Sequence, residues 1–132
     1  MRILIDADAY IALYNLDDAN HVRASTIVDK IKPATRFFTT LDVIDEVATK
    51  LSYFITKSCA LKFLDDVAKS DTTIIYSDED TFNETVKLFN SVKTKRISFT
   101  DCFNIVSYRK YAIDRIFSFD GIYGKQKLKY LA

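Results

Sequence analysis

Met1-Arg2-Ile3-Leu4-Ile5-Asp6-Ala7-Asp8 opens the chain with a short apolar run that ends on an acid, and a second acid follows two positions later. Ile3, Leu4 and Ile5 favour extended backbone and carry no polar interruption. That pattern predicts a strand buried on both faces of a parallel sheet. A strand of this kind ends at the rim of the sheet, and the crevice beyond the carboxyl ends of strands is where α/β proteins hold their ligands. An acid at that point serves as a metal ligand, as a nucleophile, or as the N-cap of the next helix, a position that Asp favours.

The rest of the composition suits that reading. A chain of 132 residues, 48% hydrophobic and 28% charged, fits one compact globular domain spanning residues 1–132. Ten Phe and eight Tyr stand against one Pro and two Gly, which argues for helices and short connections rather than disorder or loop-rich β architecture. The net charge of +1 gives no overall field toward a polyanion, so nucleic-acid binding would need a local patch. Cys59 and Cys102 form no CxxC pair, and no signal peptide precedes them. They read as small buried side chains in a reducing cytoplasm. With His21 as the sole histidine, a His-based zinc site is excluded. No apolar run is long enough to span a bilayer, so no membrane association is expected.

Moving outward from Asp6, Ala9 to Tyr14 has helical character, and Asn20 can cap a second helix through Val22, Ile27, Val28 and Ile31 that Pro33 stops. His21, in its first turn, reads as a surface or packing residue. Arg36-Phe37-Phe38-Thr39 is a second strand. Thr39 or Thr40 then caps the clearest helix, whose apolar positions Val43, Ile44, Val47, Ala48, Leu51, Phe54 and Ile55 recur at i, i+3, i+4 and i+7. Thr39-x-x-Asp42 resembles a capping box. At about 100° per residue Glu46 falls roughly 60° outside that apolar arc, at the border of core and cleft, whereas Asp42 and Asp45 lie further round. Ser58 to Lys69 is a further amphipathic helix and Thr72 to Tyr76 a third strand. Asp78 or Asp80 caps a helix carrying Phe82, Val86 and Phe89. After the basic stretch Lys93-Thr94-Lys95-Arg96, Ile97 to Asp101 leads into a helix ending near Tyr111. Arg115 to Phe119 then makes a strand that, like the first, runs into an acid, Asp120.

The order β-α-α-β-α-α-β-α-α-β-α predicts a mostly parallel sheet covered by helices on both faces. Asp6 and Asp120 end strands, while Glu46 and Asp101 sit in the first turns of helices, so this topology sends all four to one rim. Crowded carboxylates cannot all ionise unless a cation offsets them. With no His or Cys nearby, oxygen ligation points to Mg²⁺ or Mn²⁺. Each acid also has a plainer reading: Ser98-x-x-Asp101 fits a capping box, and Asp8 suits the first turn of a helix.

Four segments carry a resemblance to a known family: Ile3 to Asp6 running into Ala9 to Leu13; Thr39 to Val47; Ile97 to Asp101; and Ile116 to Asp120. In order and size the chain resembles PIN-domain ribonucleases, particularly the small VapC-type toxins. The resemblance implies a PIN-like three-layer α/β/α sandwich, with Asp6, Glu46, Asp101 and Asp120 as the acidic, catalytic metal site for Mg²⁺ or Mn²⁺. It implies hydrolysis of RNA phosphodiesters, a small antitoxin partner and a homodimer. Asp8 departs from the family pattern, which has a small hydroxyl or amide residue there, and Asp120 matches the most variable of the family's acids. The basic residues Lys93, Lys95 and Arg96, or Lys125, Lys127 and Lys129, are candidates for phosphate contacts. Two other readings are carried beside this one. In the first, a catalytically silent PIN scaffold binds RNA or a protein partner; in the second, a haloacid-dehalogenase-like phosphatase uses Asp6 as nucleophile and Asp8 as acid.

Overall fold

The computed structural model describes residues 1–132 and puts β1 (Arg2–Ile5) at the centre of a five-stranded sheet. Its neighbours are β2 (Arg36–Thr40) on one side and β4 (Arg115–Phe117) on the other; β3 (Thr73–Ile75) and β5 (Tyr130–Leu131) form the edges. Every strand pair is parallel. Leu4 pairs with Phe38 of β2 and Ile116 of β4, and Ile3 pairs with Phe37 and Arg115, so side chains in register share a face.

The two faces have separate cores. Ile3, Ile5 and Phe117 lie under α1 (Ala7–Tyr14), α3 (Leu41–Phe54) and α4 (Lys57–Lys69), against Ala9, Ala12, Val43, Val47, Leu51 and Phe63. Leu4, Phe38, Ile75 and Ile116 face the other way, against Cys102, Phe103 and Ile105 of α6 (Phe99–Lys110) and against Tyr123 and Leu128. Both faces of β1 are therefore covered, as its unbroken apolar run implied, and the fold is the three-layer α/β/α sandwich expected from the family resemblance. Small residues at Ala9 and Ala12 bring α1 close to the sheet, and Phe63 of α4 fills the space beyond, with the rings of Tyr10 and Tyr14 edge-on at 5.0 and 5.4 Å.

Several local expectations change. The sheet expected to be mostly parallel is parallel throughout, and it has a fifth strand, β5, where the sequence pattern predicts none. The helix α2 (His21–Asp29) stops before Ile31 and Pro33. Thr40 rather than Thr39 caps α3, accepting from the Val43 amide at 3.3 Å, so no box forms with Asp42. The Thr39 hydroxyl instead donates to the Ile5 carbonyl at 3.1 Å. Phe54 and Ile55 continue the apolar period but are exposed, because the buried face of α3 ends at Leu51. In α5 (Glu79–Ser91), capped by Asp78, the buried positions are Thr81 and Thr85; Phe82 and Phe89 stay half exposed. The strand β4 ends at Phe117, two residues earlier than its sequence suggests, which leaves Ser118 free to turn inward.

Candidate active site

The carboxyl end of β1 carries the chain directly into α1 at Asp6. Its carboxylate Oδ1 accepts from the Ala7 amide at 2.8 Å, so it is the N-cap of α1. The same residue is 6% exposed and faces residues from across the sheet. Its Oδ1 also takes a hydrogen bond from Asn104 Nδ2 at 3.0 Å, and its Oδ2 lies 3.0 Å from the hydroxyls of Ser118 and Tyr123. Asn104, on α6 and fully buried, is held in turn by the Thr40 hydroxyl, which donates to its Oδ1 at 3.1 Å. The cap of α3 thus steadies the amide that steadies Asp6.

Asp6, Glu46, Asp101 and Asp120 all line one cavity of about 460 Å³ at this rim, together with Asp8, Lys50, Lys95 and Arg96. They enter it differently. Asp101 is fixed by a capping box: its backbone N–H donates to Ser98 Oγ at 2.9 Å, and its Oδ2 accepts from the Ser98 amide at 2.8 Å. Its other oxygen is 3.2 Å from the Tyr123 hydroxyl. Glu46 lies in the second turn of α3, not the first, and is tied to Lys50 at 2.7 Å. Asp120 is exposed, in the turn after β4, where its Oδ1 accepts from the Ile122 amide at the start of the short α7 (Ile122–Lys125). Of the basic residues considered, Lys95 and Arg96 line the cavity; Lys93, Lys125, Lys127 and Lys129 do not. His21 is occupied elsewhere, its Nδ1 2.7 Å from the Ala12 carbonyl oxygen.

Asp8 belongs to this network as well. Its Oδ2 accepts from the Phe119 amide at 2.9 Å and lies 3.1 Å from the Ser118 hydroxyl, while its Oδ1 is buried without a partner. Counting hydrogens shows what the site lacks. A hydroxyl has one hydrogen to donate, yet Ser118 stands between Asp6 and Asp8, and Tyr123 between Asp6 and Asp101. Two hydroxyl hydrogens are thus divided among three carboxylates, whose other donors are the N–H groups of Ala7 and Asn104 on Asp6, Phe119 on Asp8 and Ser98 on Asp101. Burial, reinforced by the charge of Asp8, pushes the Asp6 carboxyl up to about 7, against the lowering effect of its donors. Burial raises Asp8 too, with the nearby Asp120 adding to it. Burial and the facing Asp6 and Asp101 charges raise the Tyr123 phenol, which stays a neutral donor.

This acceptor excess suits a hard divalent cation, because the unpartnered Asp8 oxygen and the under-supplied oxygens of Asp6 and Asp101 are the donor type Mg²⁺ or Mn²⁺ takes. As the side chains stand, no three acidic, imidazole or thiol groups are spaced to hold an ion directly. Binding would require a shift of side chains or water ligands completing the shell, as is common for Mg²⁺.

The sequence pattern pointed to the acids but not to Asn104, Ser118, Tyr123 or Thr40. These polar residues make the site's buried hydrogen bonds, and no local spacing marks them. Their only sequence signal is a polar residue within an apolar stretch, as with Asn104 between Phe103 and Ile105.

Comparison with solved structures places the fold. VapC20 of Mycobacterium tuberculosis, a toxin that cleaves the sarcin-ricin loop, superposes with a TM-score of 0.88 at 20% identity, over 96% of this chain and 95% of that one. FitAcB of Neisseria gonorrhoeae gives 0.74 at 12% identity, covering 98% and 96%. VapBC2 of Rickettsia felis, solved with a promoter DNA fragment, gives 0.71 at 13% identity over 99% and 98%. No family model and no curated protein sequence matches the chain. The chain has the PIN-domain fold of the VapC-type toxins.

Proposed function

We propose that this protein is a divalent-metal-dependent endoribonuclease, the toxin of a toxin–antitoxin pair, acting on single-stranded or structured RNA in the cytoplasm. The observation that carries the reading is the meeting of Asp6, Glu46, Asp101 and Asp120, from four separate segments, around one cavity whose mouth also holds Lys95 and Arg96. The likeness to VapC20 supports RNA as the substrate, and the VapBC and FitAB complexes support a small antitoxin partner. No helix is long and apolar enough to cross a membrane. A homodimer is part of the proposal; exposed Tyr53, Phe54 and Leu61 offer apolar surface for such contacts.

In this reading Asp6 and Asp101 are the principal ligands of Mg²⁺ or Mn²⁺, with Glu46 and Asp120 completing the shell or orienting its waters. Bound there, the ion supplies Lewis-acid stabilisation of a phosphodiester and lowers the pKa of water. The protein's own residues do the positioning. Asn104, Ser118 and Tyr123 hold Asp6 in one rotamer, Ser98 fixes Asp101, and Lys95 and Arg96 draw the RNA backbone to the rim. Lys50, paired with Glu46 at 2.7 Å, holds that carboxylate at the cavity lining.

Cleavage of a single-stranded RNA in Mg²⁺ or Mn²⁺, abolished by EDTA and by Asp6→Asn, is the expected result. Turnover that survives either treatment would remove the proposal. The spacing of the carboxylates gives a second reading a foothold: with no three poised around a common point, the chain could be a silent PIN scaffold that binds RNA or a protein. That scaffold would show neither calorimetric Mn²⁺ binding nor turnover. A phosphatase using Asp6 as nucleophile finds less support, since the fold is that of the VapC-type toxins.

A further inference from the structure

Beside the acidic cavity lies a second cleft of about 790 Å³ that shares Glu46, Lys50 and Ser98 with it, so the two are continuous. One side is aromatic. Phe99, two positions before Asp101, lines it with Phe82, at 5.9 Å between ring centroids, and with buried Phe103; Phe89, outside the cleft, packs edge-on against Phe99 at 5.8 Å. The upper rings are not core: Phe82 is 50% exposed, Phe89 44% and Phe99 37%. The α5–α6 contact explains why, since α5 is buried there through Thr81 and Thr85 and leaves its phenylalanines at the margin. The cleft is also lined by Asp42 and Asp45, neither of which forms an ion pair.

We infer that this cleft is a subsite for one nucleobase flanking the scissile phosphate, stacked on Phe99 and Phe82 and selected for an exocyclic amino group by Asp42. The inference rests on the ribonuclease reading above. Its physical basis is a division of charge. Phosphates need cations, and Lys95 and Arg96 stand on the acidic-cavity side, whereas the cation of this cleft, Lys50, is paired with Glu46; the unpaired carboxylates of Asp42 and Asp45 can accept hydrogen bonds from base donors. Cytosine, adenine and guanine offer an amino group on the base edge; uracil does not. A half-exposed phenyl face beside such acceptors fits a base, which needs stacking on its π-face and polar contacts at its edge. The position next to Ser98 and Asp101 sets that base one step from the reacting phosphate.

The test uses labelled RNA hexamers, all uridine or with one C, A or G stepped through each position. Cleavage is followed in Mn²⁺ and binding in Ca²⁺, on the full chain. Wild type is expected to prefer an amino-bearing base at one fixed place relative to the cut. The double variant Phe82→Ala/Phe99→Ala should weaken binding of every hexamer by about 5- to 100-fold, the range for losing one stacked base. Asp42→Ala, which removes the acceptor and leaves the apolar packing alone, should erase the base preference while all-uridine binding persists. If wild type cleaves and both variants keep its affinity and preference, the subsite does not exist. A double variant that turns a dimer into a monomer with unchanged affinity per protomer would assign the aromatic face to contact between copies instead. If wild type cuts and binds no hexamer with any divalent ion, the ribonuclease reading itself falls, and the subsite with it.

Discussion

Asp6 caps α1 and anchors the acidic cavity at once, so the cap and site readings of its sequence position are not alternatives. The residue has four donors and still carries a raised pKa, because it is buried and faces Asp8. The consequence for stability has a definite sign. An unfolded Asp releases its proton near pH 4, whereas folded Asp6 keeps it to about 7. Between those values the folded state binds more protons, so the metal-free protein loses stability as pH rises from about 4 to about 7 and is level above that. The loss attributable to Asp6 is on the order of 3 to 4 kcal/mol. Urea unfolding between pH 4 and 8 measures it. Asp6→Asn should flatten the slope, apart from the share contributed by Asp8, whose shift has the same direction; a wild type with no slope contradicts the account. Asn104 gives a second check. Asn104→Ala strips a hydrogen bond from Asp6 and a partner from Thr40 in a fully buried place, and should cost roughly 2 to 4 kcal/mol by urea unfolding. Leu would serve no better, since the lost groups are polar. Of these residues Asp6 can be read from its place after an apolar run. Asn104, Ser118 and Tyr123 cannot, because each meets Asp6 from 98 to 117 positions away.

At the level of elements, legibility follows length and burial. The run Ile3–Ile5 identifies its strand because a strand covered on both faces has no polar alternation to confuse it. The α3 period is equally plain up to Leu51; beyond that point period and burial part company, since nothing in the apolar spacing says where the neighbouring layer stops. The strand β5 has two residues and sits among alternating lysines, so it acquires its identity only by pairing with β4. The α5 phenylalanines look like a core face, yet threonines take that place because Lys110 donates to the Thr81 hydroxyl at 2.8 Å and Thr85 bonds back to the Thr81 carbonyl. Caps decide local geometry where the period does not. Ser98 is the clearest, since it starts α6 and orients Asp101 in the same box. Ser98→Ala should cost about 1 kcal/mol of stability in denaturant unfolding and, by loosening Asp101, lower metal affinity in calorimetry, while Ser98→Thr retains both. An alanine variant with wild-type metal affinity would uncouple the cap from the site.

Over the whole molecule, the charge is nearly balanced, with 19 Lys and Arg against 18 Asp and Glu. Attraction for a polyanion therefore depends on where those charges sit. Sequence offers two basic groups with equal claim, one before Asp101 and one after Asp120. The fold separates them: Lys95 and Arg96 lie at the mouth of the acidic cavity, whereas the odd-numbered lysines 125, 127 and 129 flank α7 and the edge strand β5 and contribute nothing to the cavity lining. Chain proximity to an acid is a poor guide here because the turn after Asp120 carries the backbone away from the rim. Counterion release makes the distinction measurable. Binding of single-stranded RNA weakens with salt by a slope of about 0.7 per phosphate neutralised. Lys95→Glu/Arg96→Glu should reduce affinity and lower that slope by about 1.4, as expected for two lost phosphate contacts. Reversing Lys125, Lys127 and Lys129 together changes net charge more, yet should leave the slope close to wild type, because only local field at the cleft counts over a screening length of about 8 Å at physiological salt. Anisotropy titrations of one RNA across a salt series decide it. Equal effects from the two sets would mean that the RNA also runs over the β5 edge, and a larger one from the tail that it runs there instead of past Lys95 and Arg96.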